Sequence, residues 1–336
     1  MAVRPDDLTP PLPARPALAH RLPSATAADL DLLGDRSSAI LREALAAALE
    51  PENHKVLRSW NLKEVTELLG LSRKTLERAI DDQKIPGGSL VRGRRLFTLE
   101  EIHAIQEGLG LRPWRDPATD RPIVVAVANF KGGVAKTSTS IHLGQYLALR
   151  GYRVLMIDCD AQGSLTTLFG LRPDADVEPG QTLSPWLRGP NLVDNPTDWT
   201  GTLATAIQPT YWHGLDLIAA NLQLYGAEFA ISARRAADAG FKFWNLLGDG
   251  IATVSDAYDV VILDTAKKFT DLMDKTKARK FTKVVRRFIS SGGTVIALAH
   301  TNKNLRDGKP VYGGTSDVVD DFDCAYTLAS LPARPE

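Results

Sequence analysis

Cysteine is almost missing from this 336-residue chain: Cys159 and Cys324 are the only two, too few for a disulfide framework or a structural zinc site. They read as reduced thiols. Long apolar runs are missing too. The longest, Ile123 to Phe130, is less than half of what a membrane-spanning helix needs, and no charged-then-apolar leader follows Met1. These absences predict a cytoplasmic protein with no membrane partner. Net charge is also lacking, since 40 basic residues balance 40 acidic ones. The chain as a whole is therefore no polycation built to coat nucleic acid, and any basic surface has to be local. What is present, 24% charged and 44% hydrophobic residues, is the composition of a globular chain long enough for one large domain and one small one.

Residues 1–25 hold six prolines and almost no aromatic or β-branched residues, which predicts a flexible arm. In residues 26–54, Leu30, Leu33, Ile40, Leu41, Leu45 and Leu49 recur at helical spacing with Gly34 as an interruption. One or two amphipathic helices are expected there, packed on their own domain or paired with a second subunit.

Residues 55–112 carry two short helical patterns, Leu62 to Leu69 and Ser72 to Asp82, separated only by Gly70 and Leu71. Val65, Leu68, Leu76 and Ile80 can share one core. Ser72 is a good N-cap and leaves Arg73, Lys74 and Arg78 on the exposed side of the second helix. A basic strand-like piece, Val91 to Phe97, follows with Arg92, Arg94 and Arg95, and a third helix opens at Thr98 with Glu101 placed for a capping box. Residues 55–95 hold ten Lys or Arg against five Asp or Glu, a local charge of +5. This order resembles a winged helix-turn-helix of the MerR-like kind. The resemblance implies DNA binding through those six basic residues; the alternative is a three-helix domain with a solvated basic face.

Pro113, Pro117 and Pro122 make residues 113–122 a linker. Beyond it, in residues 123–336, strands and helices alternate: strands at 123–129, 153–158, 215–219, 259–264 and 294–299, helices at 137–150, 223–237 and 271–290. The alternation predicts an α/β fold, a doubly wound, mostly parallel sheet behind the N-terminal helix-turn-helix domain. Residues 172–210 give no clear pattern.

The strand Ile123 to Asn129 runs into Phe130-Lys131-Gly132-Gly133-Val134-Ala135-Lys136-Thr137-Ser138, after which a helical pattern begins. A buried strand, a glycine turn and a helix N-terminus gather backbone N–H groups and the helix dipole around one anion. Lys136 is placed to reach the β- and γ-phosphates of ATP, and the Thr137 hydroxyl to ligate Mg²⁺. Asp158 and Asp160 close the next strand, at the carboxyl end where a doubly wound sheet binds its ligand. Asp264 ends an apolar strand, as a residue holding magnesium through water should.

Lys131 makes the loop resemble the deviant Walker A box, K-G-G-x-x-K-T-S/T, of the ParA/MinD ATPases. In that family the first lysine reaches across a nucleotide-sandwich dimer to the partner's phosphates. Ala135 departs from the usual glycine, at a position that prefers positive φ. Asp158-Cys-Asp-Ala-Gln-Gly-Ser-Leu-Thr166 is similar to the ParA segment D-x-D-P-Q-G-S-x-T; the likeness implies that Asp160 positions the attacking water and Asp158 supports the magnesium site. The segment Gly214 to Leu222 with Glu228 also looks like the family, and Tyr258 to Asp264 reads as its Walker B strand.

Residues 27–264 thus resemble the longer ParA partition ATPases with an N-terminal helix-turn-helix, the RepA partition proteins among them. The resemblance implies a DNA-segregation ATPase that dimerises on ATP, binds an operator or centromere-like site as well as non-specific DNA, works with a ParB-type partner, and associates with the nucleoid or a plasmid. After Asp264 the likeness weakens. Gly292 to Lys303, with its His300-Thr-Asn-Lys, looks more like the RecA-like replication ATPases, which suggests a family junction near 264. His300 is either a sensor of the γ-phosphate or a structural histidine at a strand end. Residues 267–287 carry nine Lys or Arg and two acids, a solvated face or a contact to DNA phosphates. Two other functions fit parts of the chain: a ring-forming RecA-like motor, and a DNA-binding autorepressor whose ATPase is defunct.

Overall fold

The computed structural model describes residues 26, 28–29, 32–37, 39–40, 55–113, 115–129, 135–192, 197, 199–265 and 275–298, with backbone alone for Asn129 and 275–281. The expected arm over 1–25 and the whole of 41–54, with Leu41, Leu45 and Leu49, lie outside these residues. Residues up to Pro51 form a unit of their own. Within it 28–29, 32–37 and 39–40 are helical, with Leu32, Leu33 and Ile40 exposed.

The second unit begins with β1 (Trp60–Asn61), α1 (Leu62–Leu69), α2 (Arg73–Asp81), β2 (Ser89–Val91), β3 (Arg94–Phe97) and α3 (Leu99–Gly108). Each helix starts where a side chain can satisfy its first free N–H groups. The Asn61 side chain accepts from Glu64 N while the Glu64 carboxylate accepts from Asn61 N; Ser72 accepts from Thr75 N; Thr98 and Glu101 close the expected capping box. Trp60, Val65, Leu76, Phe97, Ile102 and Ile105 form the core of this region. The piece Val91 to Phe97, expected as one strand, instead spans the end of β2, a turn and β3, the two strands of a hairpin. Ser89 pairs with Leu96 and Val91 with Arg94, and the chain reverses through Arg92 (φ 50°) and Gly93 (φ 77°). Two successive positive φ angles are what a tight two-residue hairpin turn demands. This hairpin is the wing.

The larger region contains β4 (Ile123–Asn129), α4 (Lys136–Leu149), β5 (Val154–Asp158), α5 (Ser164–Leu168), α6 (Ser184–Arg188), β6 (Gln208–Pro209), β7 (Leu215–Ile218), α7 (Leu224–Ala237), α8 (Leu246–Ala252), β8 (Val260–Asp264), α9 (Lys275–Ser290) and β9 (Thr294–Leu298). Its six strands are ordered β6-β7-β5-β8-β4-β9, parallel except for the short β6 at one edge. The doubly wound, mostly parallel sheet is therefore present, with β8 and β9 on either side of β4. Within residues 172–210 the elements α6 and β6 are too short to leave a periodic pattern, which is why that stretch could not be read. β5 and β8 are buried along their whole length, as central strands covered on both faces must be. Leu155, Ile157, Val261 and Leu263 point into one layer; Val154, Met156, Val260 and Ile262 point into the other. Each fully buried aliphatic side chain contributes roughly 1.5–3 kcal/mol. Gly144 sets the distance of α4 from the sheet: a Cβ there would lie 2.6 Å from Met156 Sδ.

The helix-turn-helix core does not end at its own boundary. Leu149, at the end of α4, and Trp212, before β7, pack against it. His103 of α3, 2% exposed, donates from Nε2 to the Ala148 carbonyl at 2.7 Å and meets His213 Nδ1 at 2.8 Å through its own Nδ1. Since a carbonyl only accepts, His103 carries its proton on Nε2, and His213 Nδ1–H is the donor of the second bond. Gly214 (φ +80°) allows this approach, because a Cβ there would stand 2.9 Å from His103 Cε1. Along residues 113–122, Arg115 Nη2 donates to Ser255 O at 2.7 Å and its guanidinium lies 3.6 Å from Asp259.

Candidate functional site

Parallel register brings the carboxyl ends of β4, β5 and β8 side by side, with Asp158 opposite Asp264 and Val127 opposite Asp264 on the other flank. The first turn of α4 enters the same space. Lys136, 5% exposed, places Nζ 2.7 Å from Asp264 Oδ1. Thr137 Oγ1 donates to Asp264 Oδ2 at 2.9 Å, and Ser140 Oγ lies 2.9 Å from Oδ1. A buried ion pair is costly unless hydrogen bonds complete it, and this one is completed from three side chains. Ala135, just before the helix, has φ 60° and ψ 30°, the left-handed conformation expected of this loop position. A side chain held there costs about 1–2 kcal/mol.

Asp158, fully buried, accepts from Asp160 N (3.1 Å), Thr166 N (2.9 Å) and Thr166 Oγ1 (2.8 Å). Burial raises its carboxyl to about 6 despite these donors. Thr166 Oγ1 in turn accepts from Ala220 N at 2.9 Å, tying the ends of β5 and β7 together. Asp158 thus braces the loop that carries Asp160. Asp160 is 6% exposed, caps Gln162 N at 3.1 Å, and opens onto a cavity of about 250 Å³ lined among others by Cys159, Gln162, Tyr225 and Glu228. Desolvation and the neighbouring carboxylates push the Cys159 thiol well up, which disfavours its thiolate form.

Lys131, Gly132, Gly133, Val134 and His300 lie outside the described residues, and Ser138 is exposed on the first turn of α4. The structure therefore brings together Lys136, Thr137 and Asp264, sets Asp158 beside Asp264 in register, and ties Asp160 to them through its backbone bond to Asp158. Sequence reasoning missed Ser140 and Thr166, which hold these carboxylates; Ser140 stands four residues after Lys136, one turn on along the same helix face. The donor set around Asp264 consists of oxygens and one ammonium, suited to a phosphate and a hard cation such as Mg²⁺ rather than to a soft metal. Among the described residues no group of three or more His, Cys, Asp or Glu could hold a metal by itself. Such a cation would have to share its ligands with phosphate oxygens.

On the helix-turn-helix, Arg73, Lys74 and Arg78 are exposed on α2, and Arg92 and Arg94 are exposed in the wing. Arg73 Nε bonds Glu77 at 2.8 Å. Arg95 differs from the rest: half-buried, it donates from Nη1 to Gly87 O at 2.7 Å and fastens the wing to the loop before it. No helix among the described residues is long and apolar enough to cross a membrane.

The family model described as AAA domain matches residues 123–276, and that of a helix-turn-helix domain matches 61–109. The chain is 35% identical over 229 residues to protein SopA of Escherichia coli (strain K12), covering 64% of this chain and 55% of SopA. Over 142 residues it is 38% identical to a ParA family protein of Chlamydia trachomatis, 42% of this chain and 49% of that one. It spans about half the length of the curated relatives it matches. A solved structure described as a partition protein aligns with 80% of this chain and 82% of its own at a TM-score of 0.51, a likeness of fold at 16% identity. The chain carries a ParA-like AAA domain behind a helix-turn-helix domain, and the relatives it matches include protein SopA, ParA family proteins and putative replication protein A.

Proposed function

We propose that this chain is a partition ATPase for plasmid or chromosomal DNA: it holds an operator or centromere-like site through the helix-turn-helix, binds ATP and Mg²⁺ at the first turn of α4, and uses ATP binding and hydrolysis as a dimerisation switch. The observation that carries the reading is the convergence of Lys136, Thr137 and Asp264 at the carboxyl ends of parallel strands. ATP would supply the scissile phosphoanhydride, and Mg²⁺ would neutralise charge on its phosphates. Lys136 would then turn from Asp264 to the terminal phosphates, and the Thr137 hydroxyl and Asp264, with Asp158 in support, would hold the metal. Asp160 orients the water that attacks the γ-phosphorus. The chemistry is phosphoryl transfer to water, with positioning and charge neutralisation as the catalytic devices. Lys131 reaches the phosphates of a second copy, a ParB-type protein stimulates turnover, and the protein works in the cytoplasm on the nucleoid or a plasmid.

Nucleotide binding tests this directly. Lys136→Ala removes the charge facing the terminal phosphates and should abolish ATP binding; undiminished affinity would end the P-loop assignment. Lys131→Ala should leave ATP binding intact and prevent ATP-dependent dimers, read by light scattering. A second reading, an autorepressor with little or no turnover, is favoured by the positive φ of Ala135. Ala135→Gly relieves about 1 kcal/mol of backbone strain. If that strain is what limits the site, the variant should bind ATP several-fold more tightly and hydrolyse it faster than the parent.

A further inference from the structure

The three donors on Asp264 are not equivalent. Ser140 has no exposed surface, and its Oγ lies 2.9 Å from Asp264 Oδ1 and 3.2 Å from Lys136 O. A hydroxyl has one proton to donate. A buried serine in a helix often gives it to the carbonyl four residues back. Here the rival acceptor is a charged carboxylate, and it is nearer, so the proton belongs to Asp264. Lys136 and Thr137 each have another duty once a phosphate and a cation enter, the amine toward the phosphates and the hydroxyl toward the metal. Ser140, buried one turn further along α4, has none. When the other two leave, it is the one side chain of the three that remains bonded to the carboxylate.

We propose that Ser140 is a positioning residue, holding Asp264 in its metal-facing orientation after Lys136 and Thr137 have turned to the nucleotide. This rests on the nucleotide-binding reading above. Loss of the hydroxyl leaves a fully buried carboxylate free to rotate back onto Lys136, so ion pair and metal site compete. Outer partners of metal-facing carboxylates typically change metal affinity by about tenfold or more.

The test is the affinity of the full chain for a non-hydrolysable ATP analogue, measured by calorimetry in EDTA and again in Mg²⁺. Ser140→Ala should bind as the parent does in EDTA and lose about tenfold of the gain that Mg²⁺ confers. Ser140→Thr, which keeps the hydroxyl, should recover most of that gain. Should the alanine variant fold poorly, Ser140→Cys fills the same space with a weak donor and gives the same comparison. A full Mg²⁺ gain without the hydroxyl overturns the proposal, as does an equal loss with and without Mg²⁺, which would mean that Ser140 only packs the helix. A parent chain that binds the analogue in neither buffer removes the nucleotide reading itself, and Ser140 with it.

Discussion

The two ends of α4 are built on opposite terms. At its first turn, Lys136, Thr137 and Ser140 satisfy one buried carboxylate and one buried ammonium, groups costly to bury unless paired. Roughly 20 Å along, its last turn meets the helix-turn-helix through backbone carbonyls and apolar surface. The Ala148 carbonyl takes His103 Nε2–H, Gly151 O takes Arg112 Nε at 3.1 Å, and Leu149 enters the core around Phe97. Charged partners that satisfy only one another can be exchanged for a phosphate and a cation of the same charges. Backbone carbonyls bonded across a packed seam have no such replacement. One end of the helix is made to trade partners and the other to keep them, and the helix-turn-helix is accordingly docked onto the larger α/β region.

The largest effect should come from the trading end. In the proposed site Asp264→Ala removes the carboxylate assigned to the metal and leaves Lys136 without the carboxylate bonded to it, so Mg²⁺-dependent turnover should fall on the order of 10²-fold or more. Melting of the helix-turn-helix region should move much less, because no bond of the docking seam involves Asp264. A variant in which both fall together would break the distinction between the two ends.

The keeping end should respond to acid. Burial, helped by the nearby His213 and Arg112, holds the His103 imidazole down at about 4 although its bond to the Ala148 carbonyl favours the charged form. A proton added at Nδ1 would also face the His213 Nδ1–H that now donates to it. Because the folded value lies below the ordinary 6.5, the stability this residue contributes is intact above pH 6.5 and is lost as pH falls toward 4. By pH 5 the loss should be about 2 kcal/mol. Asp158 works in the opposite sense: its carboxyl, raised to about 6, contributes stability below pH 4 that is lost as pH rises through 6. The parent's melting curve mixes the two. His103→Gln, which keeps a donor for Ala148 O, should flatten only the histidine part, so the difference in Tm between variant and parent should shrink from pH 7 to pH 5. A constant difference would remove the titrating seam.

Legibility in the sequence followed distance along the chain. The helix Leu62–Leu69, the strand Ile123–Asn129 and the Thr98 capping box were readable because each is specified by residues within a few positions of one another. Lys136, Thr137 and Asp264 were readable because their motifs mark a strand end and a helix start. The wing turn was obscured, since Arg92 reads as one more basic residue of a strand until its positive φ is seen beside Gly93. Ser140 lay beyond the last residue of the phosphate motif. His103 is a lone histidine on an amphipathic helix, and its partners Ala148 and His213 are 45 and 110 residues away. Contacts of that separation have no local pattern to announce them.

The smallest expected effect, and the one that separates the docked face of the helix-turn-helix from its free face, concerns α2. Arg73, Lys74 and Arg78 project on the exposed side, while Arg95 is spent on Gly87 O. An exposed pair such as Arg73 with Glu77 is worth at most about 1 kcal/mol, so the arginine can leave it for a phosphate. If each of the three meets one phosphate, single alanine substitutions should each lower the slope of log affinity for operator DNA against log salt by about 0.9. Nucleotide affinity should not change, because none of the three touches α4. Arg95→Ala should behave otherwise, loosening the wing and weakening binding with little change in slope, since the charge it removes is committed within the domain. Unaltered slopes for all of Arg73, Lys74 and Arg78 would make α2 a solvated face, and the basic wing at Arg92 and Arg94 would then have to account for any DNA bound.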